Sequence, residues 1–183
     1  MARCLFRENP TPMESDHHDW AQNAIREHQG PLLRYAVSLT GDLNTARDAV
    51  QDTFLKLFEQ EPTSLDSRLV PWLFTVCRNR VLDRLRKERR MIPLDEKSNS
   101  SRPTPEPTPA AEAESRDSTE VVLRMLGNLP ENQREVIRLK FQAQLTYEEI
   151  AGVTQLSASN VGFLLHTALR TLRQQMAALE NIH

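Results

Sequence analysis

A proline-rich stretch near the middle of the sequence is the feature that most restricts how this chain can fold. Residues 93–117 place five prolines among serine, threonine and acidic residues, with a single leucine as their only large apolar side chain. Proline interrupts helices and sheets, and a segment with so little apolar surface cannot build a core. We interpret it as an extended acidic linker between two domains, 16–92 and 118–183, with a disordered tail over residues 1–15.

The sequence on either side of this linker favours helices. Only five glycines occur in 183 residues, and Leu, Arg, Glu, Gln and Ala, which have high helix propensity, are common. Apolar residues recur at helical spacing, as in Leu32, Tyr35, Ala36 and Leu39. Such repeats predict helices over 44–59, 71–90, 118–129, 131–142, 146–153 and about 158–178. The predicted fold class is all-α, with two small helical domains.

Several functional classes lack support in the sequence. No apolar run is long enough to span a membrane and no secretory signal is visible, so we expect a cytoplasmic protein without stable membrane insertion. Cys4 and Cys77 form neither a disulfide framework nor a zinc site. The run Asp16-His17-His18-Asp19 has no further ligand cluster, so no metal site is expected. Without a phosphate loop, a nucleophile elbow or a spaced carboxylate pair, we predict no enzyme, no cofactor and no small-molecule substrate.

Positive charge is concentrated in one predicted helix, although the net charge of the chain is −2. The inward face of helix 71–90 is predicted to carry Val70, Phe74, Cys77, Val81 and Leu85. The opposite face carries Trp72, Val76, Asn79, Asp83, Arg86 and Arg90. Aromatic, amide and guanidinium groups in a row can stack on, read and neutralise an unpaired DNA strand. The alternative is an ordinary amphipathic helix in which Trp72 simply packs.

The spacing over 146–173 predicts a helix-turn-helix. Thr146 and Glu149 fit a capping box, and Ser157 can cap a second helix a few residues after the first one ends. Its core side is predicted to hold Val161, Leu165, Ala168, Leu172 and Met176. Its outer side holds Ser159, Phe163, His166, Arg170 and Arg173. A packed helical hairpin with a solvated face is the alternative.

A third candidate surface lies on helix 44–59. Asp48, Gln51, Asp52 and Leu55 fall together, off the apolar stripe of that helix. An acidic and amide-bearing strip with one exposed leucine suits docking on a basic partner helix. Solvated surface is the alternative interpretation.

Together these segments resemble the extracytoplasmic-function (ECF) group of bacterial RNA polymerase sigma factors, within the sigma-70 family. The matching stretches are LLRYAVSLTGDLNTARDAVQDTFLKLFEQ (32–60), WLFTVCRNRVLDRLRKERR (72–90) and LPENQREVIRLKFQAQLTYEEIAGVTQLSASNVGFLLHTALRTLRQQM (129–176). The resemblance implies a core-binding and −10 domain, a −35 helix-turn-helix domain, and a linker along the RNA exit path. It implies core RNA polymerase (its largest-subunit clamp helices and its flap) and promoter DNA as partners, and allows for an anti-sigma factor.

The resemblance also implies roles for individual residues. Asp48, Gln51, Asp52 and Leu55 would face the clamp helices. The −10 element would meet Asn79, which holds a flipped base, together with Trp72, Arg86 and Arg90. The −35 element would meet Lys140, Ser159, Asn160, Phe163, His166 and Arg170. Family recognition helices carry Lys or Arg at several outward positions, which here correspond to Gly162, Leu164, Thr167 and Leu169. A free-standing helix-turn-helix regulator and a sigma-like interaction adaptor remain the alternatives.

Overall fold

The computed structural model of this protein describes residues 12–91 and 121–180, and every regular element in these two ranges is helical, which confirms the all-α prediction. The predicted linker, residues 1–11 of the predicted tail and the last three residues lie outside the described ranges. The helices are α1 (Pro12–Thr40), α2 (Leu43–Leu57), α3 (Pro62–Leu65) with a 3₁₀ turn (Asp66–Arg68), α4 (Leu69–Met91), α5 (121–127), α6 (Glu131–Phe141), α7 (Tyr147–Thr154) and α8 (Ala158–Glu180).

Helix ends fall where the sequence places capping residues. Gly41 closes α1 with a φ of 71°, and its N–H donates to the Val37 carbonyl at 2.8 Å. Asp42 then begins α2, because its carboxylate accepts from the Thr45 amide at 2.6 Å. Thr146 and Glu149 form the predicted capping box of α7. The hydroxyl of Ser157 accepts from the Asn160 amide at 3.2 Å, which supports its predicted role at the start of α8.

The first helix begins earlier than the sequence suggests, since α1 already includes residues 12–15 of the predicted disordered tail. Pro12 is compatible with a first helical turn, where a missing N–H costs nothing. Two histidines then fasten this end of α1 to the end of α2. His17 Nε2 donates to the Gln60 carbonyl at 2.8 Å, and the His18 ring lies 5.9 Å from the Phe58 ring. Within the described residues no group of three or more His, Cys, Asp or Glu is placed to hold a metal.

The N-terminal helices α1, α2 and α4 pack around one apolar core. From α1 this core takes Leu32, Tyr35, Ala36 and Leu39, as the spacing predicts. From α4 it takes Phe74, Cys77 and Val81 of the predicted stripe, and also Leu73. Val70 and Leu85, at the two ends of the stripe, are only partly buried. Trp72 packs partly against the same core, as the alternative interpretation of that residue expects.

The C-terminal helices α6, α7 and α8 pack against each other, and the predicted core residues Val161, Leu165 and Ala168 are buried. Met176 is not, with 51% of its surface exposed. Most side chains over residues 173–179 are exposed, so the last turns of α8 extend past the part of the helix that packs. The apolar side of α8 therefore ends before Met176. No helix among the described residues is long and apolar enough to cross a membrane.

The N-terminal and C-terminal helices also contact each other. Helix α4 packs against α7, and the buried apolar side chains of both groups form one connected cluster. Beside this contact, the buried carboxylate of Glu135 on α6 accepts from Tyr35 Oη of α1 at 2.8 Å and from Arg78 Nε of α4 at 2.8 Å. We call these three residues the interdomain triad.

Candidate functional site

The outer face of α4 carries the predicted row of DNA-facing groups. Asn79, Arg86 and Arg90 are exposed, whereas Trp72 is half-buried at the start of the helix. At about 1.5 Å per residue, Asn79 and Arg90 lie about 16 Å apart along the axis. Arg86 also donates to Asp83 at 3.3 Å, but both side chains are largely exposed, so this contact holds the guanidinium weakly. This face therefore offers an amide and two mobile cations in line.

The predicted docking strip on α2 lies on the surface, next to α4. Asp48, Gln51 and Leu55 are exposed, and Asp52 is partly exposed. Arg84 of α4 reaches across to both carboxylates, with Nη1 2.8 Å from Asp48 Oδ2 and Nη2 3.8 Å from Asp52 Oδ2. The acidic strip is thus partly neutralised from within the chain. Leu55, 57% exposed, provides the apolar part of the surface.

An apolar groove runs beside this strip. It lies between α1 and α2 and has a volume of about 520 Å³. Leu55 and Phe58 border it from α2, Ile25 and Leu33 border it from α1, and Gln51 lies at its edge. The strip and the groove are continuous, because Gln51 and Leu55 belong to both.

The second helix of the helix-turn-helix, α8, presents the predicted outer face. Ser159, Asn160, Phe163, His166, Arg170 and Arg173 are all exposed. Phe163 is 67% exposed, so it does not belong to the core. Leu164, in contrast, is 6% exposed and belongs to the core, while Gly162, Thr167 and Leu169 are half-buried. The positions at which the resemblance expects outward cations are therefore turned away from the exposed face of this helix.

Lys140, predicted to lie near the −35 DNA, is already engaged within the chain. Its ammonium donates to the Leu145 carbonyl at 3.1 Å and lies 5.5 Å from the centre of the Tyr147 ring. Tyr147 in turn packs near Gly162, where an added Cβ would lie 3.5 Å from its ring. The lysine thus also stabilises the connection between α6 and α7. It lies near the end of α6, before the helix-turn-helix, and its contact with −35 DNA stays a prediction.

Two arginines have roles that the sequence does not reveal. Arg84 and Arg78 belong to the same basic run as Arg86 and Arg90, yet each pairs with a carboxylate on another helix. Burial alone would lower the pKa of Arg78, but its hydrogen bond to Glu135 and the charge of Glu135 raise that pKa. The periodicity of one helix does not specify which of its arginines pairs with a carboxylate on another helix. Only the packing of the helices distinguishes the paired arginines from the exposed ones.

Comparisons with known proteins fall on the same helices. Residues 24–91 match the model of sigma-70 region 2, and residues 119–172 match that of sigma-70 region 4. The ECF RNA polymerase sigma factor RpoE of Cereibacter sphaeroides is 31% identical over 166 residues, covering 88% of this chain and 90% of that protein. SigM of Bacillus subtilis, another ECF sigma factor, is 29% identical over 155 residues, covering 84% and 91% of the two chains.

A solved structure has the same fold. The sigma factor RpoE of Bartonella quintana, in complex with the anti-sigma factor NepR, aligns with a TM-score of 0.63 at 23% identity. The alignment covers 87% of this chain and 97% of that one. The two family matches contain the strip on α2, the row on α4 and the exposed face of α8 apart from Arg173, which lies one residue beyond the second match.

Proposed function

This chain belongs to the ECF RNA polymerase sigma factors, and we propose from that membership how its surfaces divide the task of promoter recognition. As a sigma factor it acts with core RNA polymerase to initiate transcription at promoters. The observation that carries this conclusion is the presence of region 2 and region 4 matches, in that order, over two groups of helices in one chain. Which residues contact the polymerase and each promoter element is our proposal.

The surface on α2 is proposed to bind the clamp helices of the largest polymerase subunit. Asp48, Gln51 and Asp52 supply hydrogen-bond and charge partners, and Leu55 supplies apolar contact beside the groove. Complementary charge steers such an encounter and fixes its register. On docking, cations of the clamp would compete with Arg84 for the two carboxylates.

The outer row of α4 is proposed to hold the unpaired −10 strand. The Asn79 amide can read one base edge, while Arg86 and Arg90 neutralise backbone phosphates. Trp72 is half-buried but keeps some exposed surface at the start of the row, where a base could stack on it. Sequence preference then comes from the amide, and general affinity comes from the guanidinium groups.

The exposed face of α8 is proposed to read the −35 duplex. Phe163 can contact a thymine methyl, and His166 can hydrogen-bond a purine edge. Ser159, Asn160 and Arg170 flank these two side chains, and Lys140 lies near the end of α6, just before the motif. Cations are few on this face, so the α5–α8 segment alone would bind duplex DNA weakly. The polymerase would supply the remaining affinity.

We also propose that this chain has no catalytic role, acts in the cytoplasm and binds an anti-sigma factor. We assign no catalytic step to the chain, because phosphoryl transfer belongs to the polymerase. We place its action in the cytoplasm, where the polymerase works. An anti-sigma factor is proposed as a further partner, in keeping with the anti-sigma factor NepR in the complex of the Bartonella quintana relative.

Transcription with core polymerase tests the proposal directly. Core enzyme is incubated with a library of genomic fragments, with and without this protein, and the 5′ ends of the transcripts are sequenced. We expect new start sites that share two upstream elements. A Phe163→Ala, His166→Ala variant should lose preference at the −35 positions only, whereas the exposed control Gln174→Ala should not.

Two results would contradict these assignments. Absence of new start sites, combined with sharp binding of one duplex sequence without polymerase, would favour a free-standing regulator. Intact −35 preference in the Phe163→Ala, His166→Ala variant would mean that these side chains do not read DNA.

A further inference from the structure

A buried charged cluster joins the two groups of helices. The contact at which it lies must open when both promoter elements are bound. The triad connects Tyr35 and Arg78 to Glu135 across 100 and 57 residues of sequence. We propose that this triad is an autoinhibitory latch, which holds the free chain closed and opposes the open form that uses both promoter elements. This inference rests on the proposed function only for the identity of the partner that opens the latch.

The triad has the geometry of a specific contact. Arg78 donates to both oxygens of Glu135, from Nε at 2.8 Å and from Nη2 at 3.4 Å, and Tyr35 donates to one of them at 2.8 Å. The side chains of Arg78 and Glu135 are 18% and 10% exposed. Charge-assisted hydrogen bonds with little solvent around them are far stronger than surface ion pairs. The triad therefore makes a directional contribution to the closed form.

Loss of the Glu135 charge would leave several positive groups near each other. Arg138, on the same helix, is partly buried close to Glu135 and to Arg134, and burial together with Arg134 lowers its pKa to about 10. Arg78 faces the same carboxylate from α4. Without the carboxylate, Arg78 would lose its ion-pair partner at the contact, and Arg138 would lose the negative charge that offsets its burial and the charge of Arg134. Glu135 is thus the residue on which closure depends.

Distance along DNA makes closure incompatible with the use of both promoter elements. A −10 and a −35 element lie about 25 base pairs apart, or about 85 Å at about 3.4 Å per pair. In the closed chain α4 contacts α7, so the row on α4 and the face of α8 cannot be that far apart. Residues 92–120 could span about 90 Å at about 3.1 Å per residue, so the chain is long enough to open.

The contact between the two groups is also incompletely packed. An open cleft of about 520 Å³ lies beside the triad, with Leu39, Leu82 and Leu85 on one side and Glu131 and Asn132 on the other. The contact thus has a polar, partly open side besides its buried apolar side, and polar, open interfaces separate more readily than an obligate apolar core. Arg78 and Glu135 of the triad line this cleft, so solvent reaches the edge of their ion pair.

Distance measurements on the full chain test the latch without polymerase. Spin labels are attached to Glu59→Cys and Gln174→Cys, two exposed positions on the two groups, with Cys4→Ser in the background. Cys77 needs no replacement, because it is buried and burial raises its pKa to about 12. In the labelled parent chain, which carries no latch substitution, we expect most molecules to show a short distance between the two labels. In the double variant Tyr35→Phe, Glu135→Gln, the long-distance population should be at least fivefold larger than in the labelled parent chain.

Control variants distinguish loss of the latch from a general loss of folding. Glu148→Gln removes the same charge from an exposed position on α7 and should leave the distances unchanged. If the double variant does not fold, Tyr35→Phe alone keeps the ring that packs 5.1 Å from Phe74 and should still shift the population. Equal distance distributions in the parent chain and in the folded latch variants would overturn the proposal.

Transcription provides the second readout. At fixed core polymerase, the latch variants should reach half-maximal transcription at about three- to tenfold lower concentration than the parent chain, because a larger fraction is already open. An unchanged half-maximal concentration, despite a larger open population, would overturn the inhibitory role. If even the parent chain supports no transcription, the proposed function fails, while the distance measurement still decides whether the latch exists.

Discussion

At the scale of single residues, this chain uses its arginines for different tasks within one helix. Arg84 joins α4 to the acidic strip on α2, Arg78 joins α4 to α6, and Arg86 is left exposed. The three arginines have the same side chain, and they differ in which neighbouring residue the packing brings within reach. A substitution in this run therefore affects internal pairing or partner binding according to its position.

Charge reversal on α2 should weaken binding to core polymerase. Asp52→Arg places a cation beside Arg84 and opposite the cations expected on the clamp, so attraction becomes repulsion. We expect a loss of about 2 kcal/mol or more, roughly thirtyfold in Kd. Glu59→Arg makes the same charge change at an exposed position just beyond α2 and is the control. A titration of labelled core enzyme measures both, and equal affinity of Asp52→Arg and the parent chain would exclude Asp52 from the interface.

A glycine should stabilise the loop that leads into the helix-turn-helix. Gln144 is exposed and has a φ of 56°, a left-handed conformation that costs side-chain-bearing residues about 1–2 kcal/mol. Gln144→Gly removes this strain, and after its entropic cost we expect a gain of about 0.5–1 kcal/mol in the free energy of unfolding. Gln142→Gly, two residues earlier at a φ of −93°, should destabilise the chain instead. Urea denaturation compares the two, and a midpoint for Gln144→Gly below that of the parent would contradict the strain argument.

At the scale of elements, α4 combines a core face, two cross-helix arginines and an exposed row. Its apolar stripe packs on α1 and α2, which fixes the rotation of the helix and so turns Asn79 and Arg86 outward. The groups that we propose to read and neutralise the −10 strand are thus held together on one helix.

Substitutions on this row should separate sequence preference from general affinity. Asn79→Ala should relax preference at one −10 position, because it removes only a base-reading amide. Arg86→Ala should weaken open-complex formation at every promoter and reduce its salt dependence, because it removes a phosphate contact. Lys87→Ala, also exposed but outside the row, is the matched control. Permanganate footprints of the open bubble measure these effects, and equal bubbles for all variants would contradict the assignment.

The sequence predicts these elements better than it predicts their contacts. Helical periodicity and caps such as Asp42 and Thr146 act over a few residues, so the helices and the helix-turn-helix follow from local pattern. The triad does not follow, because the partners of Glu135 are 57 and 100 residues away. Met176 fits the apolar period but lies beyond the packed part of α8. Exposure of Phe163 and burial of Leu164 depend on the rotation that packing gives to α8.

The cap of α2 should make stability depend on pH in the acid range. Hydrogen bonds from the Thr45 backbone amide and side chain hold the pKa of Asp42 below its usual value of 3.8. The folded chain therefore binds this proton less readily than the unfolded chain. The stabilisation is complete well above the usual value and is lost as pH falls through the lowered pKa. Asp42→Asn keeps a capping oxygen without titrating, so its stability relative to the parent should rise as the pH drops from about 5 to about 2. Denaturation over that range checks the trend, and a constant difference would contradict it.

At the scale of the whole molecule, the two groups of helices contact each other in the closed form, and residues 92–120 connect them along the sequence. Helix α4 contacts α7, and buried side chains of both groups belong to one apolar cluster. Simultaneous use of the −10 and −35 surfaces that we propose depends on whether this contact is broken.

The connected apolar cluster has a consequence for melting. Because buried side chains of both groups form one cluster, the closed chain should unfold in a single cooperative step, with equal calorimetric and van't Hoff enthalpies. In the Tyr35→Phe, Glu135→Gln variant the heat-capacity trace should separate into two smaller peaks, and one unchanged peak would mean that the groups stay coupled without the triad. Heating the closed chain would therefore unfold both proposed promoter-reading helices at one temperature, whereas the two groups, once uncoupled in the free chain, would each melt at a temperature of their own.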